Sequence, residues 1–200
     1  MPLPAPAAST TREALHTRSV IIQAYRRADG LMDVEARLTD VKAHDLPLAS
    51  GRRAAGEPVH DMWVRITINR NYDILDAVTQ TDSMPYAGEC DRINPDYHAL
   101  VGLNLKRDFR KAVLERFGKI RGCTHLTELI VLLPTAAIQA YAGERRENDN
   151  STGKPFQLDR CHALDTRGAA VARYYPQWQR TDETVAATID GDQGAQRFGG

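Results

Sequence analysis

The residues best suited to chemistry are three cysteines, each with a neighbour of ligand type: Cys90-Asp91, Cys123-Thr124-His125 and Cys161-His162. A thiolate binds soft metals or attacks electrophiles, and an imidazole ligates metals or carries protons. Three thiolates and one imidazole make a Cys3His set, a normal composition for tetrahedral zinc. The reading places Cys90, Cys123, Cys161 and His162 as ligands, with Asp91 or His125 as exchangeable ligand or supporting group. Zinc or an iron–sulfur cluster is the cofactor that such a set implies. The spacing runs from 90 to 123 to 161 without a compact Cys-x-x-Cys pair, so two other readings stay open. One is an enzyme acting on a small molecule, with Cys123 as nucleophile or with a metal-bound water. The other is a metal-free accessory module whose cysteines only pack.

Cys123 has the clearest physical case. It follows Gly122 at an expected helix start, where unpaired backbone N–H groups favour negative charge and ease loss of the thiol proton. His125, in the same turn, can share a ligand set or accept that proton. His60-Asp61 precedes the best strand pattern and reads as a general base, a fifth metal-set residue, or a hydrogen-bonded surface pair. Arg65 is a candidate clamp for an anionic substrate. His98 reads as a surface or packing residue, and His16 and His44 have no partner nearby in sequence. Neither Gly-x-Gly-x-x-Gly, a Walker loop, Gly-x-Ser-x-Gly nor His-Glu-x-x-His occurs.

The elements that must hold these residues divide by period. Ser19 to Arg26 is rich in β-formers, and Asp29-Gly30 is a hairpin signal. Val34, Ala36 and Leu38 then alternate with Glu35, Arg37 and Thr39. Met62, Val64, Ile66 and Ile68 alternate with Trp63, Arg65, Thr67 and Asn69. Asn71 to Asp73 turns the chain, and Ile74 to Thr81 returns. Residues 41 to 58 read as a loop. Helical signals follow from Asn94 to Leu103, from Arg107 to Phe117, and from Cys123 through Leu126, Leu129, Ile130, Leu133, Ala137, Ile138 and Tyr141, with a kink at Pro134. An extended piece at Phe156 to Leu158 and a short helix from Thr166 to Tyr174 complete the pattern. The fold class is α+β: an antiparallel meander of about four strands in two hairpins, followed by helices packed on one face. Residues 1–14 form a Pro/Ala-rich N-terminus, 15–180 one domain, and 181–200 a polar Gly-rich tail.

Composition narrows the partners. The 26 basic and 26 acidic residues cancel, which argues against a nucleic-acid footprint or a polybasic membrane surface. No apolar run approaches the roughly 20 residues that span a bilayer. The first residues lack a basic region followed by an apolar one, so no secretory signal is read. An odd cysteine count fits a reducing compartment, and the expected address is the cytoplasm. The expected partners are a metal ion or cluster, or a small-molecule substrate.

Four segments together resemble a bacterial family of unknown function, DUF2889. They are Arg27-Ala28-Asp29-Gly30-Leu31-Met32-Asp33-Val34-Glu35, Gly56-Glu57-Pro58-Val59-His60-Asp61-Met62, Gly122-Cys123-Thr124-His125-Leu126-Thr127-Glu128-Leu129 and Asp159-Arg160-Cys161-His162-Ala163-Leu164. The likeness covers about Arg18 to Trp178 and implies no activity. The order of Cys90-Asp91, Gly122-Cys123 and Cys161-His162 is also similar to that of iron–sulfur cluster assembly scaffolds. That likeness implies zinc or a nascent cluster held by Cys90, Asp91, Cys123, Cys161 and His162. In the scaffolds one residue separates Cys from Asp, and the last pair runs His-Cys.

Overall fold

Six strands occur in the computed structural model, which describes residues 11–142, 153–155 and 157–180. They are β1 (His16–Arg26), β2 (Met32–Lys42), β3 (Leu46–Leu48), β4 (Gly51–Arg53), β5 (Pro58–Ile68) and β6 (Ile74–Ser83). Strands β1, β2, β5 and β6 lie side by side in that order, all antiparallel. This is the expected four-stranded meander, and the α+β class holds. The 41–58 connection is not plain loop: β2 runs on to Lys42, and β3 and β4 pair as a small hairpin of their own.

Alternation sets the two faces of the sheet. Met32, Val34, Ala36 and Leu38 of β2 are buried, as are Met62, Val64, Ile66 and Ile68 of β5. Directly opposed residues in an antiparallel pair share a face, so Leu38 and Met62, or Ala36 and Val64, sit together. Gly30 closes the β1–β2 turn with a φ of +82°, a conformation that a residue with Cβ adopts only under strain. Strand β1 is the exposed edge, buried only in part at Ile22.

Helices cover the apolar face. A 3₁₀ segment over Asn94–Leu100 precedes α1 (Phe109–Phe117), α2 (Thr124–Ile130) and α3 (Leu133–Ala142). Tyr97, Leu100, Val113, Phe117, Leu126, Leu129 and Leu133 join the sheet residues in one core. The single kinked helix expected after Cys123 is two helices. The break falls at Val131 and Leu132, which leaves Pro134 in the first turn of α3, where its missing N–H costs no helical hydrogen bond. No helix among the described residues is long and apolar enough to cross a membrane.

Contacts divide the chain into residues 1–141 and 142–200, a boundary inside the 15–180 span read as one domain. In the second unit, Gln157 to Asp159 form a turn rather than an extended strand, and Phe156 lies outside the described residues. The Asp159 carboxylate accepts from the Thr166 N–H and hydroxyl, both at 2.9 Å, and from Lys154 at 2.7 Å. A short 3₁₀ turn, His162–Leu164, leads to α4 (Ala169–Tyr174), which starts three residues later than its pattern indicates. The Pro/Ala-rich start up to residue 10 and the Gly-rich tail from 181 lie outside the described residues.

Candidate functional site

The apolar stripe of β2 ends in a charge. Counting by two from Met32 through Leu38 reaches Asp40, whose side chain is only 4% exposed. Its cross-strand neighbours are Arg18 on β1 and His60 on β5. A bulge follows at once: Asp40 pairs with His60 and Val41 with Pro58, leaving Val59 as the extra residue. At the polar end of the inner face, a row of Arg18, Asp40 and His60 therefore continues the rows of apolar side chains.

Arg18 grips Asp40 with a two-pronged pair, Nε to Oδ1 and a terminal nitrogen to Oδ2, each 2.8 Å. Its other terminal nitrogen donates to Glu128 at 3.0 Å. His60 Nδ1 stands 3.0 Å from Asp40 Oδ2, and His16 Nε2 stands 3.1 Å from Oδ1. Helix α2 adds His125, whose Nε2 lies 3.7 Å from Asp40 Oδ2 and whose ring lies over that of His60 with centroids 3.8 Å apart. Residues 125 and 128 are one helical step apart on the same side of α2, so His125 and Glu128 reach Asp40 and Arg18 together.

A close approach fixes the start of α2. Tyr97, fully buried, accepts from the Cys123 N–H at 2.9 Å, and its hydroxyl lies 3.1 Å from both the Cys123 carbonyl and Thr127 Oγ1. Gly122 sits against Phe117 and this tyrosine; a Cβ there would come within 2.5 Å of the Phe117 carbonyl oxygen. The chain can enter the helix at this angle only with glycine at 122.

The electrostatics favour an ionised carboxylate beside neutral imidazoles. Burial pushes the Asp40 carboxyl upward, but the Arg18 hydrogen bonds and charge, with His60, bring it below the usual carboxylate range. Desolvation lowers the His60 pKa, helped by His125 and opposed by Asp40. Desolvation also lowers that of His125, with Arg18 adding to the effect. A neutral imidazole keeps one nitrogen lone pair, so each ring can serve as a ligand through the nitrogen that faces Asp40.

Asp40, His60 and His125 each offer a ligand atom within 4.8 Å of the others'. Among the described residues this is the group of three His, Cys, Asp or Glu side chains so arranged, and it contains no cysteine. Cys123 stands beside it, with Sγ 3.9 Å from His125 Nδ1. Cys90 lies after the turn at Tyr86, with Asp91 accepting from the Gly88 N–H at 2.7 Å. Cys161 and His162, both exposed, belong to the second unit. All three thiols are free.

Family comparison agrees with the segments that hold this group. A model described as "Protein of unknown function (DUF2889)" matches residues 16–139, well over half the chain. The chain belongs to the DUF2889 family. No curated protein and no solved structure gave a significant match, so the iron–sulfur scaffold likeness rests on residue order alone. The DUF2889 match begins at His16 and ends inside α3, enclosing Asp40, Cys90, Cys123 and the two site histidines but not Cys161 or His162.

In this DUF2889 chain His60 and His125 meet Asp40 and Arg18, rather than the residues adjacent to them in sequence. Asp61, adjacent to His60, turns to the opposite face and pairs with Arg37 at 2.6 and 2.8 Å. Arg65 shares that outer face, exposed and 3.9 Å from Glu35, so it is no clamp for a ligand at His60. His98 is a surface residue 3.9 Å from Asp76. The signals for the missed residues were present: a carboxylate in register with an apolar stripe at Asp40, and an arginine at Arg18, two residues before Val20.

Proposed function

We propose that this protein binds a divalent transition metal at Asp40, His60 and His125, with the next coordination position open to water or a small substrate. What carries the reading is the convergence of two neutral imidazoles and a buried carboxylate from β2, β5 and α2 within 4.8 Å. With metal–nitrogen and metal–oxygen bonds of about 2.0–2.2 Å, the 3.0 and 3.7 Å separations from Asp40 Oδ2 subtend roughly 90–95° and 125–130°. Those angles bracket the tetrahedral value. The charges suit a cation, because one guanidinium faces two carboxylates, Asp40 and Glu128. Arg18 and His16 also hold the Asp40 carboxylate, the supporting role that orients a metal-binding group. Zinc and iron(II) both suit such ligands, and an open position would polarise a substrate carbonyl or activate water. Three free thiols support a reducing, cytoplasmic setting.

The order Cys123 Sγ, His125 Nδ1, His125 Nε2, Asp40 favours a second reading, a metal-free thiol nucleophile with an oriented base. Both are tested on untagged protein titrated with zinc or cobalt(II) against a chromophoric chelator. The metal reading expects one equivalent bound, with His60→Ala and His125→Ala each weakening it at least about tenfold. Unchanged affinity in both variants sinks it. No binding, together with alkylation of Cys123 far faster than that of Cys90 and Cys161, puts the second reading in its place.

A further inference from the structure

Met62 follows His60 by two residues on β5, so both side chains face the helices. Its thioether is buried, and Sδ lies 3.9 Å from Cys123 Sγ. The same Sγ lies 3.9 Å from His125 Nδ1, while the other nitrogen of that ring faces Asp40. One imidazole thus has Asp40 on one edge and the Cys123 sulfur on the other, with the Met62 thioether next to that sulfur. We propose that Met62 Sδ, Cys123 Sγ and His125 Nδ1 form a second cation site, for a soft monovalent ion of the copper(I) type.

Ligand softness sets the selectivity. Thiolate and thioether sulfur select copper(I), whereas carboxylate with imidazole suits harder divalent ions. The two separations centred on Cys123 Sγ suit a three-coordinate ion. With metal–sulfur bonds of about 2.3 Å and metal–nitrogen bonds of about 2.0–2.1 Å, the sulfur–sulfur separation subtends about 116° and the sulfur–nitrogen separation about 127°. Both lie close to the trigonal angle of about 120°, so ions of this kind enter with small side-chain adjustments. Cys123 is the partly exposed member and gives the entry; Met62 closes the inner side. On binding, the thiol proton leaves to solvent, the sulfur and nitrogen lone pairs coordinate the ion, and no electron is transferred. Neither Asp40 nor His60 is a ligand here; the two sites share His125 alone, through opposite ring nitrogens.

The test is an anaerobic titration of the full chain with copper(I) held by bicinchoninate, whose colour reports the ion it loses. The native protein should withdraw one equivalent. Cys123→Ser and Met62→Leu should each weaken withdrawal about tenfold or more. Cys90→Ser and Cys161→Ser should match the native protein. Native protein that leaves the coloured complex intact, or Cys123→Ser that withdraws copper(I) as well as native, overturns the proposal. Should either sulfur variant fail to fold, X-ray absorption of the copper-loaded native protein decides. Two sulfurs and one nitrogen at bonding distance support the site, and a shell with fewer than two sulfurs rejects it.

Discussion

Asp40 shows how one residue converts a packing face into a reactive one. A buried carboxylate is tolerated only when paired and hydrogen-bonded. Arg18, His16 and His60 supply that within 3.1 Å. For the histidines, loss of solvent, helped at His60 by His125 and at His125 by Arg18, keeps both rings neutral against the pull of Asp40. A pH dependence follows with a definite sign. In the unfolded chain a histidine titrates near pH 6.5, but in the fold both rings take a proton only at lower pH. The unfolded state therefore binds more protons as pH falls through about 6.5, and stability drops until the lowered folded pKa values are passed. Asp40, also lowered, adds a further loss as pH falls below the ordinary aspartate value of about 3.9. The urea midpoint of metal-free protein should fall between pH 7 and 5, and fall less in a His60→Gln, His125→Gln double variant. A midpoint that is flat or rises over that range contradicts the assignment of neutral, desolvated rings.

At the scale of elements, the site depends on how α2 is started and on how β2 ends. Much of this was legible. The alternation of β2 and β5 marks their buried faces, Asp29-Gly30 marks the first hairpin, and the apolar spacing from Leu126 marks the helices over the sheet. What could not be read was contact between elements. Sequence adjacency made Asp61 the natural partner of His60, yet strand geometry sends neighbours to opposite faces, and the real partner lies 20 residues earlier on β2. The three Cys-centred pairs drew attention for a similar reason: proximity in sequence is visible, and cross-strand register is not. Gly122 is the element-scale control point. Its φ of −159° is ordinary extended backbone, so its need for glycine is spatial rather than conformational. A Cβ would press on the Phe117 carbonyl oxygen and on Tyr97, whose hydroxyl anchors Cys123. Gly122→Ala should cost about 1–3 kcal/mol, the usual range for overpacking a core. It should also weaken divalent binding, because the first turn of α2 carries His125. Chemical denaturation and the chelator titration read the two effects. A variant as stable as native, with unchanged affinity, would mean that the helix start is more compliant than its contacts indicate.

For the whole molecule, the grouped side chains fall within the first of the two units, residues 1–141. Every side chain assigned to the two cation sites lies between His16 and Glu128, on β1, β2, β5 and the start of α2. The core cluster likewise runs from Met32 to Tyr141, and the family match spans 16–139. A sheet of four strands covered by three helices has enough apolar area for independent stability, where a lone hairpin does not. The second unit has its own internal ties, such as those of Asp159 to Lys154 and Thr166. The grouped side chains Asp40, His60 and His125 all belong to the first unit. A chain ending at residue 142, which completes α3, should therefore unfold in one cooperative transition. It should hold divalent metal with the affinity of the full protein. The decisive measurements are the sharpness of its thermal transition and the same chelator competition. Loss of metal affinity in a cooperatively folded 1–142 chain would show that the second unit completes the site, and would return Cys161 and His162 to the list of ligands.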